Sequence, residues 1–153
     1  MNKLITYLIV VTFFINACHN TVNPYENNLG IKPGVIAQID TANYTRIEWE
    51  DTVRNFEEVK EGDSVFIKFR FKNTGDKILF ITSVQPSCGC IVADYPQNAI
   101  QPGNGGEVTA AFYSRYHSGY IHKTITVITN TSNGINHLLS FAGQVKSSSQ
   151  IIH

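Results

Sequence analysis

Charge is scarce in this sequence. Of its 153 residues only 16% are Asp, Glu, Lys or Arg, against roughly 25% in an ordinary soluble protein. Twelve basic and twelve acidic residues cancel, so no global field gathers polyanions or anionic lipid. Nor do Lys and Arg cluster with interleaved aromatics, which excludes a nucleic-acid groove. Methionine occurs once, at position 1, so the rest of the chain offers no thioether to a soft metal ion. No apolar run reaches the roughly 20 residues that span a bilayer as a helix. The Gly-x-Ser-x-Gly elbow, the P-loop and the dinucleotide fingerprint are missing, and no cysteine comes with a histidine positioned to activate it. Asp94 and Glu107 have no spacing that argues for a carboxylate pair. The expectation is a protein that is not an enzyme. What is present, 42% hydrophobic residues, suffices for one packed domain.

The N-terminus reads as a processing signal over residues 1–18. Lys3 supplies a positive start, and Leu4 to Ile15 are apolar apart from Thr6, Tyr7 and Thr12. That length suits a signal-peptide core better than a membrane span. Ile15-Asn16-Ala17-Cys18 resembles a lipobox, with Asn16 departing from its commonest form, so Cys18 is the expected acylated (palmitoylated) N-terminus. Two or three acyl chains hold firmly, because each buried methylene adds about 0.8 kcal/mol. His19-Asn20-Thr21-Val22 contains no acidic tract, which favours an outer-membrane anchor facing the periplasm over the cell surface. Residues 19–43, rich in Asn, Pro and Gly, read as a tether with a reach of about 25–30 Å. Asp40-Thr41-Ala42 resembles a bacterial O-glycosylation signature and makes Thr41 a candidate. Asp51-Thr52-Val53 and Asp63-Ser64-Val65 match the same pattern.

From Tyr44 the hydrophobic period is two, and a domain is expected over 44–146 with a tail at 147–153. Val65, Ile67, Phe69 and Phe71 alternate with Lys68, Arg70 and Lys72, as in a half-buried strand. Ile78, Phe80 and Val84 suggest one face of the next strand. Val108, Ala110 and Phe112, then Ile121, Ile125 and Val127, then Leu139, Phe141 and Val145 supply three more. Tyr44 to Trp49 and Phe56 to Val59 read as a split first strand. Gly- and Asn-rich turns separate the runs. The expected fold is all-β: an antiparallel immunoglobulin-like sandwich of about seven strands.

Several spaced motifs carry a family resemblance. Phe69-Arg70-Phe71-Lys72-Asn73-Thr74-Gly75, Ser87-Cys88-Gly89-Cys90, Ile100-Gln101-Pro102-Gly103, Lys123-Thr124-Ile125-Thr126-Val127 with Thr129-Asn130, and Phe141-Ala142-Gly143-Gln144-Val145 follow one another over roughly Ile47 to Val145. Their order resembles that of the DUF1573 family. The resemblance implies an immunoglobulin-like fold, akin to domains of major sperm protein and cilium-associated proteins, and a lipoprotein of the bacterial envelope; it implies no activity. Family members often carry Phe-Gly where this chain has Phe56-Glu57, which puts a local bend in question.

Cys88-Gly89-Cys90 is the candidate for chemistry, with three readings. Two sulfurs on one side of a strand suit Cu(I) or Zn(II), with His117 and His122 as the candidate further ligands and Asp94 and His137 behind them. A redox disulfide is the second. Its closure needs a bend, because extended residues two apart lie about 6.6–7.2 Å apart and disulfides favour about 5.5–6 Å between Cα atoms; Gly89 could supply it. A structural pin is the third, and an oxidising envelope favours it. His137 reads as a satisfied histidine at the core edge. The run Tyr113 to Tyr120 offers Arg115, Tyr116 and Tyr120 as an interaction loop. The leading expectation is a non-catalytic module that binds an envelope protein or glycan, with no nucleic acid and no resident cofactor; copper or zinc binding and thiol–disulfide exchange are the alternatives.

Overall fold

The computed structural model describes residues 33–148. The export signal, Cys18 and most of the expected tether and tail lie outside the described residues. Eight strands form two four-stranded sheets. The first holds β1 (Ile47–Trp49), β3 (Ser64–Asn73), β6 (Gly105–Tyr113) and β5 (Ile91–Asp94), in that order across the sheet. The second holds β2 (Val53–Lys60), β8 (Asn136–Lys146), β7 (Gly119–Thr129) and β4 (Ile81–Pro86).

The split first strand is a change of sheet. β1 pairs antiparallel with β3, whereas β2 continues in the other sheet and lies parallel to β8. Counting the halves separately gives eight strands rather than about seven, and the β2–β8 pair departs from an otherwise antiparallel pattern. The register of β2 slips between Asn55 and Glu58, and Glu57 and Glu58 are both exposed. Two neighbours facing solvent mark a β-bulge. The local bend therefore forms with glutamate in place of glycine.

Between the sheets, Phe69, Val108, Phe112, Ile125, Val127, Leu139 and Phe141 are fully buried. The rings of Phe112 and Phe141 meet across the two sheets at 5.8 Å, and Phe56 approaches each at 6.1 and 6.2 Å. Gly143 explains the gap in the apolar alternation of β8: a Cβ there would overlap the Phe56 ring. Burying each large side chain stabilises the fold by about 1.5–3 kcal/mol.

Two expectations need correction. Residues 33–43 are folded rather than tether: Pro33–Ile39 form a short helix, α1, and Thr41–Asn43 a 3-10 turn that Asp40 caps through its side chain. The helix buries Ala37 and places Gly34 against Phe80 and Thr82. That contact explains the second difference. Leu79 and Ile81, not Ile78 and Phe80, enter the central core, while Phe80 lies beneath α1. A register slip between Ile81 and Ser83 then returns Val84 to the core side.

Candidate functional site

Cys88-Gly89-Cys90 forms the corner where the chain leaves β4 in one sheet for β5 in the other. The two cysteines are joined as a disulfide with 5.2 Å between Cα atoms. A turn rather than extended chain brings them together: the Ile91 amide donates to Cys88 O at 3.3 Å. On either side the corner is tied to its sheets. The Ser87 amide donates to Thr124 O at 3.0 Å and the Tyr113 amide to Cys90 O at 2.9 Å. Both sulfur side chains are half-buried and pack on the core. Gly89 is exposed, with no positive φ and nothing within 4 Å of an added Cβ, so the turn does not require glycine there.

No group of three His, Cys, Asp or Glu side chains able to hold a metal ion is assembled among the described residues. His117 packs its ring against Phe112 at 5.7 Å, and His122 is an exposed residue of β7 paired with Ala142. The structure therefore does not bring them to the cysteines as a ligand set. His137 lies 2.9 Å from Thr131 Oγ1 and 3.2 Å from Thr129 Oγ1 through Nε2. Burial holds its pKa below the ordinary value. Glu107, partly exposed on β6, accepts from Lys68 at 2.8 Å, and that bond keeps its carboxyl below the usual range.

The expected interaction loop joins β6 to β7. Ser114 anchors it and is fully buried. Its amide donates to Asp63 O, its hydroxyl lies 2.8 Å from Asp63 O and 3.0 Å from Lys60 O, and it accepts from the Gly62 amide. Two residues later Tyr116 holds φ at 64° with its side chain 85% exposed. A non-glycine residue there costs about 1–2 kcal/mol, and such strain concentrates where function requires it. Arg115 is exposed beside it. Tyr120, also exposed, sits in β7 opposite Gln144, on the outer face of the other sheet. The structure thus groups Arg115 with Tyr116 and separates Tyr120 from them.

One feature of the outer face escapes the sequence reading. Phe66 of β3 pairs with Ala111 of β6, and Ala111 with Val92 of β5. Phe66 is 66% and Val92 57% exposed. Tyr113, two residues past Ala111 on the same face, extends this apolar row toward Tyr116. The signal was Phe66 itself, an aromatic in the phase occupied by Lys68, Arg70 and Lys72.

Two buried asparagines account for other motifs. Asn73 donates through Nδ2 to Lys77 O and Ile100 O, and through Oδ1 accepts from Thr45 Oγ1 and the Gly75 amide. Asn130 donates to Asn43 O and Ile78 O and accepts from the Phe80 amide. Both tie loops together.

The family model described as a protein of unknown function, DUF1573, matches residues 47–145. The chain belongs to the DUF1573 family. Its motifs Asn73-Thr74-Gly75 and Thr129-Asn130 are thus loop locks in this DUF1573 domain, and its Cys-Gly-Cys is a corner between sheets. The fold is similar to that of a protein of unknown function from Porphyromonas gingivalis, with TM-score 0.60, 16% identity and coverage of 69% of this chain and 49% of that one. The chain thus spans about half the length of that protein. It is similar also to the ASH/PapD-like domain of human CEP192, with TM-score 0.54, 12% identity and coverage of 70% and 89%. These likenesses establish the fold. No curated protein matches the sequence.

Proposed function

We propose that this protein is a non-catalytic module of the bacterial cell envelope, anchored through lipid on Cys18, that binds a protein partner at the Arg115–Tyr116 end of the sandwich. The observation that carries the reading is Tyr116: an exposed ring on a strained backbone, two residues from the buried anchor Ser114. An exposed Tyr beside an Arg is the composition of binding hot spots, and a loop whose backbone is already tied down loses less entropy on docking. Tyr113 and the Phe66–Ala111–Val92 row continue the surface. A protein suits this apolar row better than a glycan, which needs a polar, hydrogen-bonding surface. The Cys88–Cys90 disulfide agrees with an oxidising compartment, and the lipobox-like run ending at Cys18 supports the anchor. Among the described residues the displaced ionisations are those of Glu107 and His137, which are engaged by Lys68 and by Thr129 and Thr131.

The test is affinity isolation of the tagged, lipidated chain from detergent-solubilised envelopes, beside Arg115→Ala/Tyr116→Ala. A discrete partner should be retained by the wild type. Losing a hot-spot tyrosine should weaken retention about 30-fold, the equivalent of about 2 kcal/mol. Equal recovery by both proteins would count against the reading. So would recovery of none. Metabolic labelling with palmitate, abolished by Cys18→Ser, tests the anchor separately.

A further inference from the structure

Four strands lie at sheet edges: β1, β5, β2 and β4. An unprotected edge presents open N–H and C=O groups, and proteins blunt such edges with charge, bulges or a covering segment. Three of these edges are blunted. At β1 the Asn133 side chain closes on Ile47, accepting from its amide at 3.3 Å and donating to its carbonyl at 2.7 Å. β2 combines the bulge at Phe56–Glu57 with Arg54, Glu57, Glu58 and Lys60. β4 carries a bulge between Ile81 and Ser83, and α1 packs on Thr82 there. Among the described residues, β5 has none of these. Its residues are Ile91, Val92, Ala93 and Asp94, with no bulge and one charge at its end.

The ladder fixes which groups of β5 face outward. Tyr113 N donates to Cys90 O, so Cys90, Val92 and Asp94 direct their backbone groups toward β6, and Ile91 and Ala93 direct theirs away. The Ile91 amide is taken by Cys88 O. Among the described residues nothing else bonds the Ile91 carbonyl or either backbone group of Ala93, which are left at the edge. Beside them stand the exposed Val92, which ends the Phe66–Ala111–Val92 row, and the exposed Asp94. Among the described residues Asp94 takes part in no ion pair, whereas Lys68 and Arg70 share Glu107.

We infer that β5 is an acceptor for strand addition, and that its occupant is an extended segment of a partner protein with an apolar residue beside Val92 and a lysine or arginine beside Asp94. Backbone bonds at Ile91 and Ala93 hold the segment. Its apolar residue lengthens the row across the sheet, and its cation meets the unpaired carboxylate, the two being two positions apart on one face. The Cys88–Cys90 corner fixes where the edge begins, and Pro96 bounds it on the other side. The inference rests on the reading of the protein as a protein-binding module and names the chemistry of what it binds.

The probe is a nine-residue peptide alternating valine and threonine, with one lysine two positions from its central valine, added to the isotope-labelled full chain in detergent. Amide resonances should shift at residues 91–94, and exchange of the Ala93 amide should slow at least tenfold at saturation. Val92→Lys, an exposed substitution whose folding is checked by thermal unfolding, should weaken binding at least tenfold. Asp94→Lys should weaken it and should recover binding when glutamate replaces the peptide's lysine. Glu48→Ala, at the exposed far edge of the same sheet, should leave peptide affinity unchanged. No shift at β5 with millimolar peptide, shifts centred on another edge, or equal affinity for Val92→Lys would overturn the inference. Failure here with Tyr116-dependent capture intact overturns the edge alone; peptide addition at β5 without such capture overturns the broader reading alone.

Discussion

Replacing Asn73 by alanine removes a fully buried amide that makes four hydrogen bonds. The cost follows from what each partner has left. Ile100 O still accepts from the Leu79 amide, and the Gly75 amide still reaches Arg46 O. Lys77 is exposed, so water can reach its carbonyl. The Thr45 hydroxyl is different: it is buried, and Asn73 Oδ1 is its partner at 2.7 Å. An orphaned buried hydroxyl costs about 1–3 kcal/mol, and the lost net bonds add about 1 kcal/mol each at most. Asn73→Ala should therefore destabilise by about 3–4 kcal/mol in urea unfolding. Thr45→Val removes the hydroxyl in advance, so Asn73→Ala in that background should cost about 1–2 kcal/mol less, a coupling within the range for residues in contact. A loss below about 1 kcal/mol for Asn73→Ala, or strict additivity with Thr45→Val, would refute the reasoning that this motif is a structural lock.

Three further outcomes follow from the same structure. The buried His137 holds its proton less tightly than in the unfolded chain, so its contribution is complete above the ordinary histidine pKa of about 6.5 and is lost as pH falls through the lowered folded value; His137→Gln should flatten the difference in melting temperature between pH 7.5 and pH 5. The Cys88–Cys90 bridge closes a very short loop, for which the chain-entropy relation gives about 1.6 kcal/mol; Cys88→Ser/Cys90→Ser should lower unfolding free energy by about that amount, while Gly89→Ala should change it by less than about 0.5 kcal/mol. Gly143→Ala drives a methyl into the Phe56 ring and should cost about 1–3 kcal/mol, measured by denaturant midpoint at constant m-value.

The period-two runs made the sandwich legible because they sit on strands with one buried and one wet face. Val65 to Phe71 and Val108 to Phe112 were read residue for residue. The rule failed at Ile78 and Phe80, where the outer surface is also covered. A strand with apolar residues on both sides has no phase to read, and the covering helix is too short to display a periodic face. The parallel β2–β8 pair was hidden for another reason: strand direction follows from which sheet the second half of the split strand joins, and no local signal encodes that choice. At the Cys-Gly-Cys block the residue types were informative and the assumed geometry was not, since a corner rather than an extended strand brings the sulfurs together. No local signal marks Asn73, Ser114 and Asn130 as locks, because each has decisive partners far away in sequence: Thr45 and Ile100 for Asn73, Lys60 and Asp63 for Ser114, Asn43, Ile78 and Phe80 for Asn130. Tyr116 was legible as an exposed aromatic, whereas its left-handed backbone was not.

Photocrosslinking in living cells reads out whether the Tyr116 end of the domain engages a protein partner in the envelope. A benzophenone side chain would be placed at position 116 and, as control, at Glu48, which is exposed on β1. A discrete crosslinked protein is expected from position 116 and none from position 48. The same adducts from both positions, or none from position 116, would contradict it.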